Sequence, residues 1–440
     1  MPEMKTFKLV TLGCKVNQYE SDVMRAACIE AGYVPVTKGG CADLVVVNTC
    51  TVTATAAAKS RRALRSAIRA NPGAKVVAAG CAVEADAAMF EKVGDGILLL
   101  KQSRKSEFPG LLGIETNGRK PLPGRTRAFL KIQDGCDRFC TYCIVPHVRS
   151  ELWSKPLDEV LREAEYLASL GHREIVLTGI RLGLYNGGGG ADLAALVRKL
   201  SERPGPERLR LSSLEMWNIS DELLSAASGS GKFCRHLHIS LQSGDDGILR
   251  AMNRPYTSDE FLARIKDIRE ALSGVAITTD VIVGFPGEGE REFENTLRVC
   301  REARFVKMHI FPFSPRAGTR AVDLPGRPDR AAVDEHLGRL RDLEEELARE
   351  YRRGLVGKVV EVLVENRRDS KTGLPCGTSR EYVKVLVEGD KVEPSTIVNA
   401  RILSAEAGSI TGIRIPPENQ ENICLSKKKY GKPSKAPAAS

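Results

Sequence analysis

Near its start the chain three times runs a short apolar stretch straight into a cysteine. Residues 5–12 (KTFKLVTL) end at Gly13-Cys14, residues 43–48 (DLVVVN) at Thr49-Cys50, and residues 75–79 (KVVAA) at Gly80-Cys81. Runs this short and this rich in Val and Leu read as buried strands. Between them lie helical patterns. Val23, Ala26, Ala27 and Ile29 mark one apolar face, and an alanine-rich stretch from Ala54 to Ala70 is stopped by Asn71-Pro72-Gly73. Another helix and the apolar run 96–100 follow. Strands alternating with helices dictate a parallel sheet, with every strand ending along one edge. Open α/β sheets take their ligands at that carboxyl edge, so Cys14, Cys50 and Cys81 converge where a ligand belongs. Three convergent thiols suit an iron–sulfur cluster with one iron left free. Taken singly, each cysteine reads equally well as a small buried hydrophobe.

A second thiol set is local. Gly135-Cys136-Asp137-Arg138-Phe139-Cys140-Thr141-Tyr142-Cys143 places three cysteines in a Cys-x-x-x-Cys-x-x-Cys frame. A loop with this spacing can wrap one face of an iron–sulfur cube and leave the fourth iron without a protein ligand. The alternative is structural zinc, which takes four closed ligands in paired Cys-x-x-Cys units, and no second pair lies near this triplet. The frame resembles that of radical S-adenosylmethionine enzymes, where the open iron holds the amino and carboxylate groups of S-adenosylmethionine. Tyr142, just before the last cysteine, then suits contact with the cofactor's adenine. Cys28, Cys41, Cys234, Cys300, Cys376 and Cys424 read as core or loop thiols.

Residues 101–126 are charged, rich in Gly and Pro, and read as a linker. From Arg127 a new alternation begins, with strand candidates at 127–133, 173–178, 207–213, 235–241, 275–283 and 305–311 and helical stretches such as 157–170 and 258–272. Six βα units are too few for a closed eight-stranded barrel. They fit an open, partial TIM-like barrel with Cys136 in the loop after its first strand. Barrel sites lie at the carboxyl ends of the strands, which puts the loop beside Thr178, Gly179, Glu215, Gln242, Gly284 and Gly287. Gly284 and Gly287 would let backbone approach an adenosyl group, and a simple turn accounts for them as well. Glu215 and Gln242 are candidates for the ribose or methionyl part of the cofactor, or plain surface residues. His236, His238 and His309 read as core or solvent-edge residues. On the helix after Cys50, Lys59, Arg62, Arg65 and Arg69 recur every three or four residues as one basic stripe. Such a stripe either grips RNA phosphates or is a solvated face.

Residues 331–353 form a charged helix. After Gly354 the chain turns β-rich, at 358–364, 382–387, 395–402 and 409–415. A small antiparallel barrel of OB type is expected, a fold that often binds nucleic acid. The basic tail, Lys427-Lys428-Lys429-Tyr430 onward, is rich in Pro, Ala and Ser and is expected to be disordered. The expected divisions are 5–115, 122–353, 354–418 and a tail, 419–440. Lys and Arg number 66 against 56 Asp and Glu, a formal charge of +10 that permits a polyanionic partner. No apolar run is long enough to cross a membrane, and the N-terminus lacks the apolar core of a secretion signal. A cytoplasmic chain is expected, and its 12 cysteines then favour metal or redox chemistry over disulfides.

The order of parts resembles the methylthiotransferase family of radical S-adenosylmethionine enzymes. The likeness runs from about Phe7 to Ile415 and is carried by LGCKVNQYES (12–21), NTCTVT (48–53), AAGCAV (78–83), KIQDGCDRFCTYCIVPHVRS (131–150), LTGIRLGLY (177–185), HLHISLQSGDDGILRAMNRPYT (236–257), TDVIVGFPGE (279–288) and FPFSPRAGTRA (311–321). The resemblance implies an auxiliary 4Fe–4S cluster on Cys14, Cys50 and Cys81 and a radical 4Fe–4S cluster on Cys136, Cys140 and Cys143. It makes the C-terminal barrel a TRAM domain that binds RNA. The mechanism the resemblance implies is that one S-adenosylmethionine methylates a sulfur at the auxiliary cluster and a second yields the radical that takes hydrogen from C2 of a modified adenine, where the methylated sulfur then joins. Partners implied are tRNA, a flavodoxin- or ferredoxin-like one-electron reductant and a sulfur donor, with no membrane. The opening motifs look most like the branch acting on threonylcarbamoyl-adenosine at tRNA position 37. The alternatives are isopentenyl-adenosine, a ribosomal-protein aspartate, or a non-catalytic iron–sulfur RNA-binding protein. Ser150 stands where the family commonly has Gly, and Ser240 where it commonly has Pro. A threonylcarbamoyl group calls for a nearby cation, and Lys15, Arg149 and Arg181 are the candidates by motif position.

Overall fold

The computed structural model describes residues 4–36, 40–115, 120–406 and 408–416. The expected tail and Cys424 lie outside the described residues. The chain divides into two compact units at Ala348 and Arg349.

The first unit opens with strands β1 (Thr6–Thr11), β2 (Val34–Pro35), β3 (Leu44–Thr49), β4 (Lys75–Gly80) and β5 (Leu98–Lys101), and helices α1 (Lys15–Glu30), α2 (Ala54–Ala70) and α3 (Cys81–Ala85). The sheet order is β2-β1-β3-β4-β5, parallel throughout. β3 is buried along its whole length, as a central strand covered on both faces must be. Its Leu44 and Val46 face one apolar cluster with Phe7 and Phe108, and its Val45 and Val47 face another with Leu64 and Phe90.

The described parts of the stretch expected to be a linker, 101–115 and 120–126, pack against the first sheet's helix. Residues Gln102–Leu112 form a 3-10 helix with Lys105, Phe108 and Pro109 buried. Its charges are partnered: Lys105 Nζ bonds Glu20 Oε2 at 2.6 Å, and further on Arg125 Nη1 bonds Asp22 Oδ2 at 2.5 Å. Charge content that read as solvation is here the means of docking the segment onto α1.

Next come β6 (Ala128–Lys131) and an antiparallel pair, β7 (Gln133–Asp134) with β8 (Trp153–Ser154), that closes the base of the cysteine loop. Then follow β9 (Glu174–Thr178), β10 (Arg208–Leu211), β11 (Ser213–Leu214), β12 (His236–Ile239), β13 (Ala276–Val283) and β14 (Lys307–Pro312). They form two parallel sheets, β10-β9-β6 and β11-β12-β13-β14, and the third strand of the series breaks at Ser212 between them. These are the six expected βα positions. Helices such as Leu157–Ser169 and Ser258–Ala271 cover the outside. Outward side chains Leu237, Ile239, Ile277, Val281 and Met308 enter one apolar cluster.

The second unit contains β15 (Val359–Arg368), β16 (Pro375–Ser379), β17 (Lys384–Glu388), β18 (Ile397–Glu406) and β19 (Ser409–Arg414), closed in the order β15-β16-β17-β19-β18. The barrel is not purely antiparallel, because β17 and β19 run parallel. The sequence reading missed β16, whose PCGTS has Pro at the first position and little apolar content. Gly377 lets it close on β15: a Cβ there would lie 2.3 Å from Val362 Cγ1. No described helix is long and apolar enough to cross a membrane.

Candidate active site

The radical-type loop hangs between β7 and the short helix Val145–Val148 and is tied at several points. Cys136 N donates to Arg149 O at 3.0 Å, Cys143 N to Cys140 O at 2.9 Å and Thr141 N to Met252 O at 3.1 Å. Thr141 Oγ1 adds a bond to Ala251 O at 2.7 Å. Gly135 has φ +81°, and a Cβ on it would lie 1.9 Å from Glu151 O, so a larger residue would push the loop off its base. Phe139 also takes a positive φ, 49°, and its carbonyl accepts from Asn253 Nδ2 at 3.2 Å. A non-glycine residue in this region costs about 1–3 kcal/mol and persists only where neighbours hold it.

At the carboxyl edge of the first sheet, Cys14 caps α1, Cys50 follows β3 and Cys81 opens α3. Ser60 of α2 clamps Cys50 by accepting from its N at 3.0 Å and donating to its O at 2.9 Å. A Cβ on Gly13 would lie 2.9 Å from Cys50 Sγ, so glycine is what allows Cys14 and Cys50 to approach. Asn17 closes the edge, with Nδ2 donating to Leu12 O at 2.9 Å and Thr49 O at 2.8 Å.

Burial pushes the thiol of Cys50 up to about 11 and that of Cys143 up to about 12, and in each case the other two thiols of its triad add to the rise. Such thiols keep their protons until a metal displaces them. Thiolates on one tetrahedral zinc stand about 3.8 Å apart. Among the described residues neither triad brings its three sulfurs within 4.8 Å of one another. An all-sulfur set of three thiols fits an iron–sulfur cluster with one open iron.

Arg149 touches both triads. Its carbonyl receives Cys136 N, and its Nε lies 3.2 Å from Cys81 Sγ. It is 5% exposed. Nη1 bonds Glu20 Oε1 at 3.0 Å and Asp134 Oδ2 at 2.8 Å, and Nη2 bonds Asn17 Oδ1 at 2.8 Å and Gln102 Oε1 at 3.1 Å. Lys131 Nζ adds a bond to Glu20 Oε1 at 2.9 Å. Burial alone would raise the Glu20 carboxyl, but Arg149, Lys105 and Lys131 outweigh it and hold it well below the usual carboxylate range. The network lines a cavity of about 600 Å³ with Trp153 and Phe108. Arg149, one of the cations expected to await a substrate carboxylate, is therefore already committed. Arg181 likewise pairs with Asp137. Lys15 has no hydrogen-bond or ion-pair partner among the described residues.

The other expected residues fall as follows. Glu215 pairs with Arg254, whose Nη1 lies 3.8 Å from Cys140 Sγ and whose Nη2 donates to Ser240 O at 3.1 Å. Trp217 backs that guanidinium at 4.8 Å. Tyr142 is half-buried against the cluster of Ile248, Met252 and Phe285, and burial raises its phenol well above the usual range. Thr178 is buried, and its carbonyl takes Ile132 N at 2.9 Å. Gly179 packs on Gln133, whose Cβ would lie 2.9 Å from an added methyl. Gln242 has φ 69°, with its backbone bridging Asp280 and Ile282 at 2.9 Å each. Gly284 has φ +79° and closes on Val333, where a Cβ would meet Cγ2 at 2.6 Å; Gly287 has φ +89° with its N bonded to Gly326 O at 2.8 Å. Both glycines answer a backbone need. Lys59, Arg62, Arg65 and Arg69 are exposed on the face of α2 opposite Ala57, Leu64 and Ala67, without ion-pair partners among the described residues. Sequence reasoning missed Glu20, Lys105, Lys131, Asp134 and Arg254. Glu20, Lys131, Asp134 and Arg254 stood inside the quoted motifs, but nothing in one sequence pairs them with their partners across the fold.

A three-thiol loop at the mouth of a parallel half-barrel is the architecture of radical S-adenosylmethionine enzymes. The family model described as "Radical SAM superfamily" matches residues 130–300, and "Uncharacterized protein family UPF0004" matches residues 6–99. The threonylcarbamoyladenosine tRNA methylthiotransferase MtaB of Bacillus subtilis is 36% identical over 430 residues, covering 91% of this chain and 94% of that protein. MtaB of Thermotoga maritima is 34% identical, covering 92% and 96%. The tRNA-2-methylthio-N(6)-dimethylallyladenosine synthase of Syntrophotalea carbinolica is 33% identical, covering 94% and 100%. Among solved structures, the radical S-adenosylmethionine methyltransferase TsrM of Kitasatospora setae shares the fold with a TM-score of 0.50 at 15% identity, over 71% of this chain and 77% of that one. The chain belongs to the tRNA-modifying methylthiotransferase family of radical S-adenosylmethionine enzymes. Membership implies S-adenosylmethionine and a 4Fe–4S cluster.

Proposed function

We propose that this protein methylthiolates C2 of N6-threonylcarbamoyladenosine at position 37 of tRNA, using a 4Fe–4S cluster on each cysteine triad. The observation that carries the reading is the presence, within one compact unit, of two separate three-thiol sets joined through Arg149, whose carbonyl accepts from Cys136 N and whose Nε lies 3.2 Å from Cys81 Sγ. The names of the MtaB relatives support the choice of adenosine. Cys136, Cys140 and Cys143 would hold a cluster that, when bound, would supply the one-electron chemistry by which S-adenosylmethionine is cleaved and hydrogen is taken from carbon.

The chain's own residues supply position. Arg254 holds Glu215 beside Cys140, where the carboxylate can accept from the hydroxyls or amino group of the cofactor. Tyr142, Thr178, Gly179, Gln242, Gly284 and Gly287 shape the surroundings of that site. Arg149 fixes the sheet that carries Cys81 against the loop that carries Cys136. The stripe Lys59, Arg62, Arg65 and Arg69, without ion-pair partners among the described residues, offers charge to tRNA phosphates, and the barrel of 354–418 acts as a TRAM-type RNA module in addition to the methylthiotransferase part, 5–115, and the radical core, 122–353. A flavodoxin- or ferredoxin-like reductant and a sulfur donor complete the reaction, in the cytoplasm where tRNA is.

The test is anaerobic reconstitution of wild type and of a Cys14, Cys50 and Cys81 to Ala variant. Wild type is expected to hold about eight irons and the variant about four, with 5′-deoxyadenosine still released. Loss of that release from a folded variant would refute the division of labour.

A further inference from the structure

The inner face of the half-barrel carries a polar stripe where apolar filling is the rule. Strand alternation puts His236, His238 and Ser240 on one face, and register sets Thr278 beside His238 and Asp280 beside His309. Thr278 Oγ1 lies 3.0 Å from His236 Nε2 and 2.9 Å from His238 Nδ1. His238 Nε2 lies 3.1 Å from Asp280 Oδ2, which Ser240 Oγ also approaches at 3.3 Å. The ring of His309 is 5.6 Å from that of His238, centre to centre. Polar groups left in a barrel interior are costly unless something polar meets them. Asp280 and His309 are half-buried and so within reach from the mouth.

The stripe lies between the two triads. On one side Ser240 O receives Arg254, whose other nitrogen lies 3.8 Å from Cys140 Sγ. On the other side, the loop after β14, the strand of His309, is tied to the segment after Cys50: Ala54 N donates to Ser314 Oγ at 2.9 Å and Arg316 Nη2 to Thr51 Oγ1 at 2.6 Å, and Lys15, directly after Cys14, stands on the same sheet edge as Cys50. Lys15 has no partner of its own among the described residues.

We propose that Lys15, His309 and the His238–Asp280 pair form the subsite that receives the polar N6 substituent of the substrate adenosine. Lys15 pairs with its carboxylate, and Asp280 accepts from a urea N–H. His238, oriented by Thr278, holds Asp280 in place, and His309 bonds the carboxylate or the side-chain hydroxyl. The inference rests on the proposed substrate and assigns the residues that recognise it. A purely apolar N6 group would leave Lys15 and His309 without a polar partner, and sites built to bond a polar group reject an analogue lacking it by about 10⁴-fold or more. His238, Asp280 and His309 are close enough together for one metal ion, but the lone ammonium of Lys15 opposes a second cation there.

The experiment compares anticodon stem-loop RNA carrying threonylcarbamoyladenosine with the same RNA carrying its methyl ester, on full-length wild type, Lys15→Met, Lys15→Arg and His309→Leu, each checked for wild-type iron content and thermal midpoint. Wild type should prefer the acid to the ester by about 10-fold or more in kcat/KM, as removal of a charge-assisted bond implies. Lys15→Met should lose that preference through a higher KM for the acid, Lys15→Arg should keep part of it, and His309→Leu should reduce it. Equal preference in wild type and Lys15→Met overturns the subsite alone. Stoichiometric zinc in wild type that disappears in His309→Leu also overturns it, in favour of a metal site. A wild type that modifies neither RNA overturns the substrate reading and the subsite together.

Discussion

Replacing Arg149 by Met should destabilise the first unit more than any surface change, and the size can be worked from its hydrogen bonds. The guanidinium is buried and bonds Glu20, Asp134, Asn17 and Gln102. Removing one partner of a buried pair costs about 3–5 kcal/mol, because the other charge is left without compensation. Here Lys105 and Lys131 remain beside Glu20, and Lys131 beside Asp134, so the low end, about 3 kcal/mol, applies. The chain's two tryptophans, Trp153 and Trp217, both lie in this unit, and Trp153 lines the same cavity as Arg149. Urea unfolding of the iron-free protein, followed by tryptophan fluorescence, reads the change. With a slope of about 3 kcal/mol/M, the midpoint should fall by about 1 M. Glu20→Gln alone should also destabilise, and the double variant should cost less than the two singles combined, since the pair shares one interaction. Additive effects, or a midpoint shift below about 0.2 M for Arg149→Met, would refute the claim that this network joins sheet and loop.

Three further outcomes are expected. Burial raises Glu288 from 4.5 to about 7, so its contribution is fully present below about pH 4.5 and disappears as pH rises toward 7; Glu288→Gln, which keeps the acceptor for Gly284 N, should remove up to about 3 kcal/mol of that pH dependence, measured by urea midpoints at pH 5 and 8. Neutralising Lys59, Arg62, Arg65 and Arg69 should weaken tRNA binding and reduce the slope of log affinity against log salt by about 0.7–0.9 for each phosphate no longer neutralised; an unchanged slope would make the stripe a solvated face. Deleting 355–440 should weaken tRNA binding while 5′-deoxyadenosine release continues, and unchanged tRNA affinity would show that the barrel is not the RNA module.

Much of the architecture was legible because it rests on local period. The runs before Cys14, Cys50 and Cys81 are short and apolar, and strand-helix alternation then fixes a parallel sheet and its edge. The same logic placed all six barrel strands. What escaped was set by partners far along the chain. Lys105 and Arg125 looked like linker charges because Glu20 and Asp22, which bind them, are on α1. Arg149 looked like a free cation for the same reason. β16 has too little apolar content to announce itself, and the parallel β17–β19 pairing depends on closure of the whole barrel. The histidines of β12 and β14 looked like core or edge residues until register set them opposite Thr278 and Asp280.

The central claim is the identity of the modified adenosine, and mass spectrometry of tRNA nucleosides tests it most directly. Reconstituted protein is given two tRNA pools, one lacking threonylcarbamoyladenosine and one lacking isopentenyladenosine. The account predicts a methylthio product in the second pool and none in the first. Product from the first pool alone would contradict the assigned substrate while leaving the reaction class intact.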